Sequence, residues 1–147
     1  INEKTTPSFC IGFVGLGLIG GSIAKSIRRV FPNTEILAFD VDKAALQTAL
    51  EDGTVSRIIC SIEELDTCDY IYLCAPVHYN ISYLPTIKKI IKSDCILTDV
   101  GSVKSDIYQA IHDNELDKYF IGGHPMAGSE KYGFSSIRVT IEPTPPY

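Results

Sequence analysis

The 147-residue chain has no C-x-x-C pair, no Cys/His group at metal-ligand spacing, no internal repeat and no low-complexity tract. It also lacks an apolar run of the roughly 20 residues that a membrane helix needs. Its 13 lysines and arginines are scattered among 18 acids, for a net charge of -5, so no basic surface points to a nucleic-acid partner. These absences leave one domain of ordinary size, able to bury a core. The cysteines are five, at positions 10, 60, 68, 74 and 95. Cys10, Cys74 and Cys95 fall in or beside apolar segments, where a thiol behaves as a small hydrophobe. An odd number of cysteines used this way fits a reducing cytoplasm better than a secreted scaffold, and a cytoplasmic location is expected. Phe9 to Ala24 is uncharged and follows Lys4, the outline of a signal-peptide core. The glycines at 12, 15, 17, 20 and 21 make it a poor h-region or membrane helix.

Those glycines carry the most informative pattern. Cys10-Ile11-Gly12-Phe13-Val14 reads as a short buried strand and runs into Gly15-Leu16-Gly17-Leu18-Ile19-Gly20. Ile19, Ile23, Ile27, Val30 and Phe31 follow at helical spacing. Ile36-Leu37-Ala38-Phe39 is a second strand, and Asp40 stands at its carboxyl end, twenty positions after Gly20. A lone G-x-G-x-x-G means little; between a strand and a helix, with an acid at this distance, it marks a dinucleotide-binding βαβ unit. Gly15 permits the tight turn, Gly17 lets the backbone approach a pyrophosphate, and Gly20 lets helix and strand pack closely. Phosphates would sit on the N–H groups and positive dipole end of the helix, around Leu18 and Ile19. Asp40 would accept hydrogen bonds from the adenosine ribose. With Asp42 close by and no arginine at 41–43, NAD rather than NADP is the expected cofactor.

Strand and helix alternate through the rest of the chain. Helices are expected at Lys43–Asp52, with Leu46, Ala49 and Leu50 inward and Gly53 as its cap, at Ile81–Ile91, with Pro85 marking a kink or a fresh first turn, and at Lys104–His112. Strands are expected at Ile58–Ile59, Tyr70–Ala75, Cys95–Thr98 and Tyr119–Gly122. The pattern predicts an α/β fold of the Rossmann type, a doubly wound, mostly parallel sheet with helices on both faces. Residues 1–9 read as an extension, 10–136 as the nucleotide-binding domain, and 137–147 as a shortened tail, in which Arg138–Glu142 could form one last strand.

In such a sheet the ligand lies beyond the carboxyl ends of the strands. The residues there are Asp40; Ala75, Pro76, Val77 and His78; Asp99 to Lys104; and Gly123 to Lys131. Ala75, Pro76, Val77 and Gly101 join Asp40 and the glycine turn as expected cofactor contacts. His112 reads as a solvated surface residue and His78 as a loop histidine lining the cofactor pocket. His124, set between Gly123 and Pro125, reads as a general base, since imidazole titrates near neutral pH; a satisfied structural histidine is the alternative. Ser102 reads as a helix N-cap, as a substrate contact, or as both. Lys104 reads as an exposed first-turn residue.

Four segments together resemble the prephenate dehydrogenases of tyrosine biosynthesis: Val14 to Ser22, Leu73 to Val77, Thr98 to Lys104, and Gly122-Gly-His-Pro-Met-Ala-Gly-Ser-Glu-Lys131. The last is the most specific. The resemblance implies oxidative decarboxylation of prephenate to 4-hydroxyphenylpyruvate. His124 would take the ring-hydroxyl proton, Ser102 would position that hydroxyl or the histidine, and Glu130 would lie near the site entrance. It further implies a small-molecule substrate, no nucleic-acid or membrane partner, and a homodimer in the full-length form. The family's C-terminal helical dimerisation domain is absent from this sequence, so a truncated N-terminal domain is expected, which could be inactive alone. Arogenate dehydrogenase and a nucleotide-binding module without turnover are the alternatives. A β-hydroxyacid dehydrogenase shares the fold but would use a lysine in its second domain, and the histidine loop argues against it.

Overall fold

Six short runs of apolar residues pair as strands, because each can be covered on both faces by helices from the segments between them. The computed structural model describes residues 9–101 and 104–122. β1 (Cys10–Val14) is buried throughout and leads through the glycine turn into α1 (Gly17–Val30). There follow β2 (Glu35–Phe39), α2 (Lys43–Glu51), β3 (Arg57–Ile58), a 3-10 turn (Ile62–Thr67) and β4 (Tyr70–Leu73). The second half runs α3 (Val77–Ile90), β5 (Ile96–Asp99), α4 (Ser105–Asp113) and β6 (Phe120–Gly122). All pairings are parallel and the order is β3-β2-β1-β4-β5-β6. The chain therefore builds outward from β1 in one direction and from β4 in the other. The reversal falls between those two strands, where an open α/β sheet places its ligand crevice.

Side chains alternate between two cores, as the two-residue period of a strand requires. Val14, Leu37, Ile71, Leu73 and Leu97 pack with Leu84 and Ile87 of α3 and Ile107 and Ile111 of α4. Ile11, Phe13, Ile36, Ala38 and Tyr72 pack with Ile23, Ala24 and Ile27 of α1 and Leu46 of α2. Helices thus cover both faces, as the alternating sequence predicts.

Local differences from the sequence reading have physical reasons. The inward stripe of α1 is Gly20, Ile23, Ala24 and Ile27, while Ile19, Val30 and Phe31 are about half exposed. In α2, Leu46 and Ala49 are buried and Leu50 only partly, with Gly53 at φ +84° just past the helix end. α3 begins at Val77 rather than Ile81, because Pro76 supplies the N-cap position and Asn80 is buried in its first turn; Pro85 lies inside it. His78 is accordingly helical, not a loop residue, and its ring lies 4.3 Å from that of Tyr79. α4 begins at Ser105 with Lys104 at its N-cap position, and Ser102 lies outside the described residues. Lys104 itself is not exposed: its side chain is 10 % accessible. Arg138–Glu142 lies outside the described residues. Among the described residues no helix is long and apolar enough to cross a membrane.

Candidate functional site

At the reversal point a cleft of about 280 Å³ opens between the ends of β1, β2 and β4. Its walls include Gly15, Gly17, Asp40, Ala75 and Pro76, five of the residues expected to bind cofactor. Gly15 has φ +85°, and a Cβ there would stand 2.6 Å from the Ala75 backbone nitrogen. Only glycine allows the β1 turn to lie this close to the β4 turn. Gly20 is buried beneath, where a Cβ would meet Gly15 O at 3.0 Å and Cys74 Cβ at 3.1 Å. At Gly17, by contrast, the space is open. Leu18 is 93 % exposed on the first turn of α1. Among the described residues no side chain caps that helix start, and its first turn holds no acid. The N–H groups and dipole there are arranged for an anion.

Asp40 ties this rim together. Its Oδ2 accepts from Leu16 N–H at 2.7 Å and its Oδ1 from Asp42 N–H at 2.9 Å. Each carboxylate oxygen has a second lone pair, which leaves room for a ribose hydroxyl. Asp42 has a different job from its neighbour: it is the N-cap of α2 and accepts from Ala45 N–H at 3.1 Å.

The opposite wall depends on a residue that the sequence reading passed over. Asn80, 4 % exposed, accepts from Ala75 N–H at 3.2 Å and donates to Ala75 O at 2.8 Å. Both polar groups of the turn after β4 are thereby satisfied by one amide. Tyr79 and Tyr83, four residues apart on α3, line the same wall, with the Tyr83 ring edge-on to Phe39 at 5.5 Å. His78 is not on the cleft wall. Cys74 lines the cleft as well, its thiol pushed up by burial with Asp99 adding to the effect.

Beyond β5, Asp99 Oδ2 accepts from Gly101 N–H at 3.1 Å, and Asp99 Oδ1 lies 2.7 Å from Lys104 Nζ. Burial pushes the Lys104 ammonium down, and the bond to Asp99 recovers only part of that shift. Val77 opens α3 and Gly101 follows β5, and neither is on the cleft wall; Ile19 follows Leu18 on α1. Ser102, His124 and Glu130 lie outside the described residues. His112 is exposed on α4, 3.4 Å from Asp117. Among the described residues no group of three His, Cys, Asp or Glu could hold a metal.

Comparison with known proteins agrees with this architecture. Residues 23–140 match the family model described as "Prephenate dehydrogenase, nucleotide-binding domain". A prephenate dehydrogenase of Lactococcus lactis is 35 % identical over 131 residues, covering 87 % of this chain and 37 % of the relative. The crystal structure of prephenate dehydrogenase from A. aeolicus with hydroxyphenyl propionate and NAD+ superposes with a TM-score of 0.74 at 31 % identity, covering 82 % of this chain and 42 % of that one. Arogenate dehydrogenase of Synechocystis gives a TM-score of 0.70 at 33 % identity, covering 81 % and 41 %. The chain spans about two fifths of the length of the relatives it matches.

Proposed function

Since this chain belongs to the prephenate dehydrogenase family, matching its nucleotide-binding domain, we propose that it holds NAD for the oxidative decarboxylation of prephenate. The observation that carries the cofactor reading is the cleft at the β1–β4 reversal. An α1 start with no side-chain cap stands on one side of it and the Asp40 carboxylate on the other. The residues fit a dinucleotide. The α1 N–H groups and the open space at Gly17 suit the pyrophosphate, Asp40 suits the adenosine ribose, and the apolar wall of Val41, Tyr79 and Tyr83 suits the adenine. When bound, NAD supplies the hydride acceptor.

The chain's own residues do the rest. The Asp99–Lys104 pair braces the turn after β5 that carries Gly101. Ser102 positions the ring hydroxyl of the substrate. His124, two residues past β6, takes the hydroxyl proton; departure of carbon dioxide then makes the ring aromatic and the reaction irreversible. The family resemblance assigns Glu130 to the site entrance. In the proposed organisation residues 10–136 form the nucleotide-binding body, a further domain completes the substrate site, and the assembled enzyme is a cytoplasmic homodimer.

Arogenate is the second reading, favoured by the likeness to the Synechocystis enzyme. The test is the rate of reduced-nicotinamide formation by the protein with NAD and either acid. Turnover of prephenate well above that of arogenate supports the first reading, and the reverse supports the second. NAD binding with neither substrate turned over leaves a nucleotide-binding module.

A further inference from the structure

The end of the sheet farthest from the cleft carries a cluster of sulfur. Cys10 opens β1, Cys68 stands two residues before β4, and Cys95 immediately precedes β5; all three are buried in the same core. Cys10 Sγ lies 3.6 Å from Cys68 Sγ and 3.7 Å from Thr67 Oγ1. The backbones are already locked beside each other. Cys10 O accepts from Asp69 N–H at 2.7 Å, and Cys10 N–H donates to Asp69 Oδ2 at 2.9 Å. Cys68 Sγ is also lodged over Gly12, where a Cβ would stand 2.9 Å from it. A side chain at position 12 would push that sulfur away, so the missing Cβ is part of what lets the two thiols meet.

We propose that Cys10 and Cys68 form a redox-active dithiol that closes to an intramolecular disulfide. The sulfurs need to approach by about 1.5 Å to reach a bond of about 2.05 Å, a movement two side chains can share. The pair is chemically asymmetric. The hydrogen bond from Cys68 holds the Cys10 thiol below its usual value against the opposing effect of burial. Cys68 is pushed far up by its bond to Cys10 and by burial. Cys10, 8 % exposed, is the thiol an oxidant can reach and so the nucleophile, and fully buried Cys68 is the resolving thiol. Cys95, pushed up to about 12 chiefly by burial, is a bystander.

Hydrogen peroxide is the oxidant, small enough to approach Cys10, a residue 8 % exposed. Cys10 thiolate attacks one peroxide oxygen; the S–O bond forms, the O–O bond breaks, and the hydroxide released takes a proton to become water. Cys68 sulfur then attacks the Cys10 sulfenic acid. The S–S bond forms, the S–O bond breaks, and the leaving hydroxide takes the Cys68 proton as a second water. Two thiols lose two electrons and one peroxide becomes two waters. The bridge would fasten the start of β1 to the turn before β4, at the foot of the two strands whose upper ends make the cleft.

Peptide mapping of the peroxide-treated protein tests this. After treatment the protein is denatured, alkylated and digested without reductant. The expected product is a Cys10–Cys68 linked peptide, lighter by two hydrogens than its separate halves and lost on reduction with dithiothreitol. Cys10 and Cys68 should both become unavailable to the alkylating agent. In Cys68→Ser the link should be replaced by a sulfenic acid at Cys10 that dimedone traps. Alkylation of Cys10 and Cys68 as intact thiols, at a peroxide dose that oxidises the exposed Cys60, overturns the proposal. A bridge to Cys95 or to a second chain overturns it as well. The wild-type map decides the matter even if the serine variant does not fold.

Discussion

Asp99 and Lys104 form an ion pair at 2.7 Å with side chains only 4 % and 10 % accessible, closing the turn between β5 and α4. A charge pair so far out of water contributes through its geometry, since the desolvation of both ions offsets most of their attraction. Here that geometry fixes the turn at Gly101, whose N–H the same Asp99 carboxylate accepts.

Lys104→Met should therefore be costly, because it removes the cation that faces the buried Asp99 carboxylate. Breaking a buried pair from one side costs about 3–5 kcal/mol, and urea denaturation should show a loss of that order. Asp99→Asn combined with Lys104→Met should recover much of it, since no lone charge then remains buried. A single variant as stable as wild type would mean that the turn is held by other contacts.

Cofactor choice should follow Asp40. Its carboxylate faces the cleft while bonded to Leu16 and Asp42 N–H, and a ribose 2′-phosphate there would meet like charge. Such juxtaposition costs several kcal/mol, so calorimetric titration should find NAD about tenfold or more tighter than NADP. Asp40→Asn should narrow that gap. Equal affinity in the wild type would remove Asp40 from the specificity determinant.

In the proposed reaction, His124→Asn should lower kcat by about 10²–10⁴-fold, the range for loss of a general base. The NAD dissociation constant should hardly change, because the dinucleotide residues lie on β1, β2 and β4. Both quantities need measuring in the full-length protein. Near wild-type turnover would make this histidine structural.

The Asp69–Lys92 pair at the other end of the sheet predicts a pH dependence. Burial tends to raise the Asp69 carboxyl, but Lys92 and the Cys10 N–H outweigh it and hold the group below its usual value. A carboxyl lowered in the folded state stabilises above its unfolded value of about 3.9, and that stability is lost as the pH falls through the lower folded value. Asp69→Asn should accordingly be less stable than wild type at pH 7, with the difference shrinking below about pH 4. Thermal melts across that range check it, and a difference independent of pH would refute the electrostatic account.

Much of this molecule was legible before any fold was known. The strand, glycine turn, helix and Asp40 lie within about thirty consecutive residues, so their spacing alone specifies a nucleotide-binding βαβ unit. The alternation of apolar runs with helical periods likewise determined a doubly wound sheet, because a strand apolar on both faces must be covered on both. Sequence spacing also marked Gly20 for close packing, and its missing Cβ is filled by Gly15 O and Cys74.

What tertiary structure alone decided are the relationships made when distant segments close on one another. Lys104 looks like any exposed lysine at a helix start until the β5 turn folds its ammonium onto Asp99. Asn80 looks like a loop residue until α3 begins at Val77 and turns its amide onto Ala75. Cys10 and Cys68 are separated by 58 positions and become neighbours only when β4 lies beside β1. Periodicity reports which face of an element is apolar, a local property of the chain. Which polar group meets which across that face depends on register and strand order, and those are settled only when the whole sheet assembles.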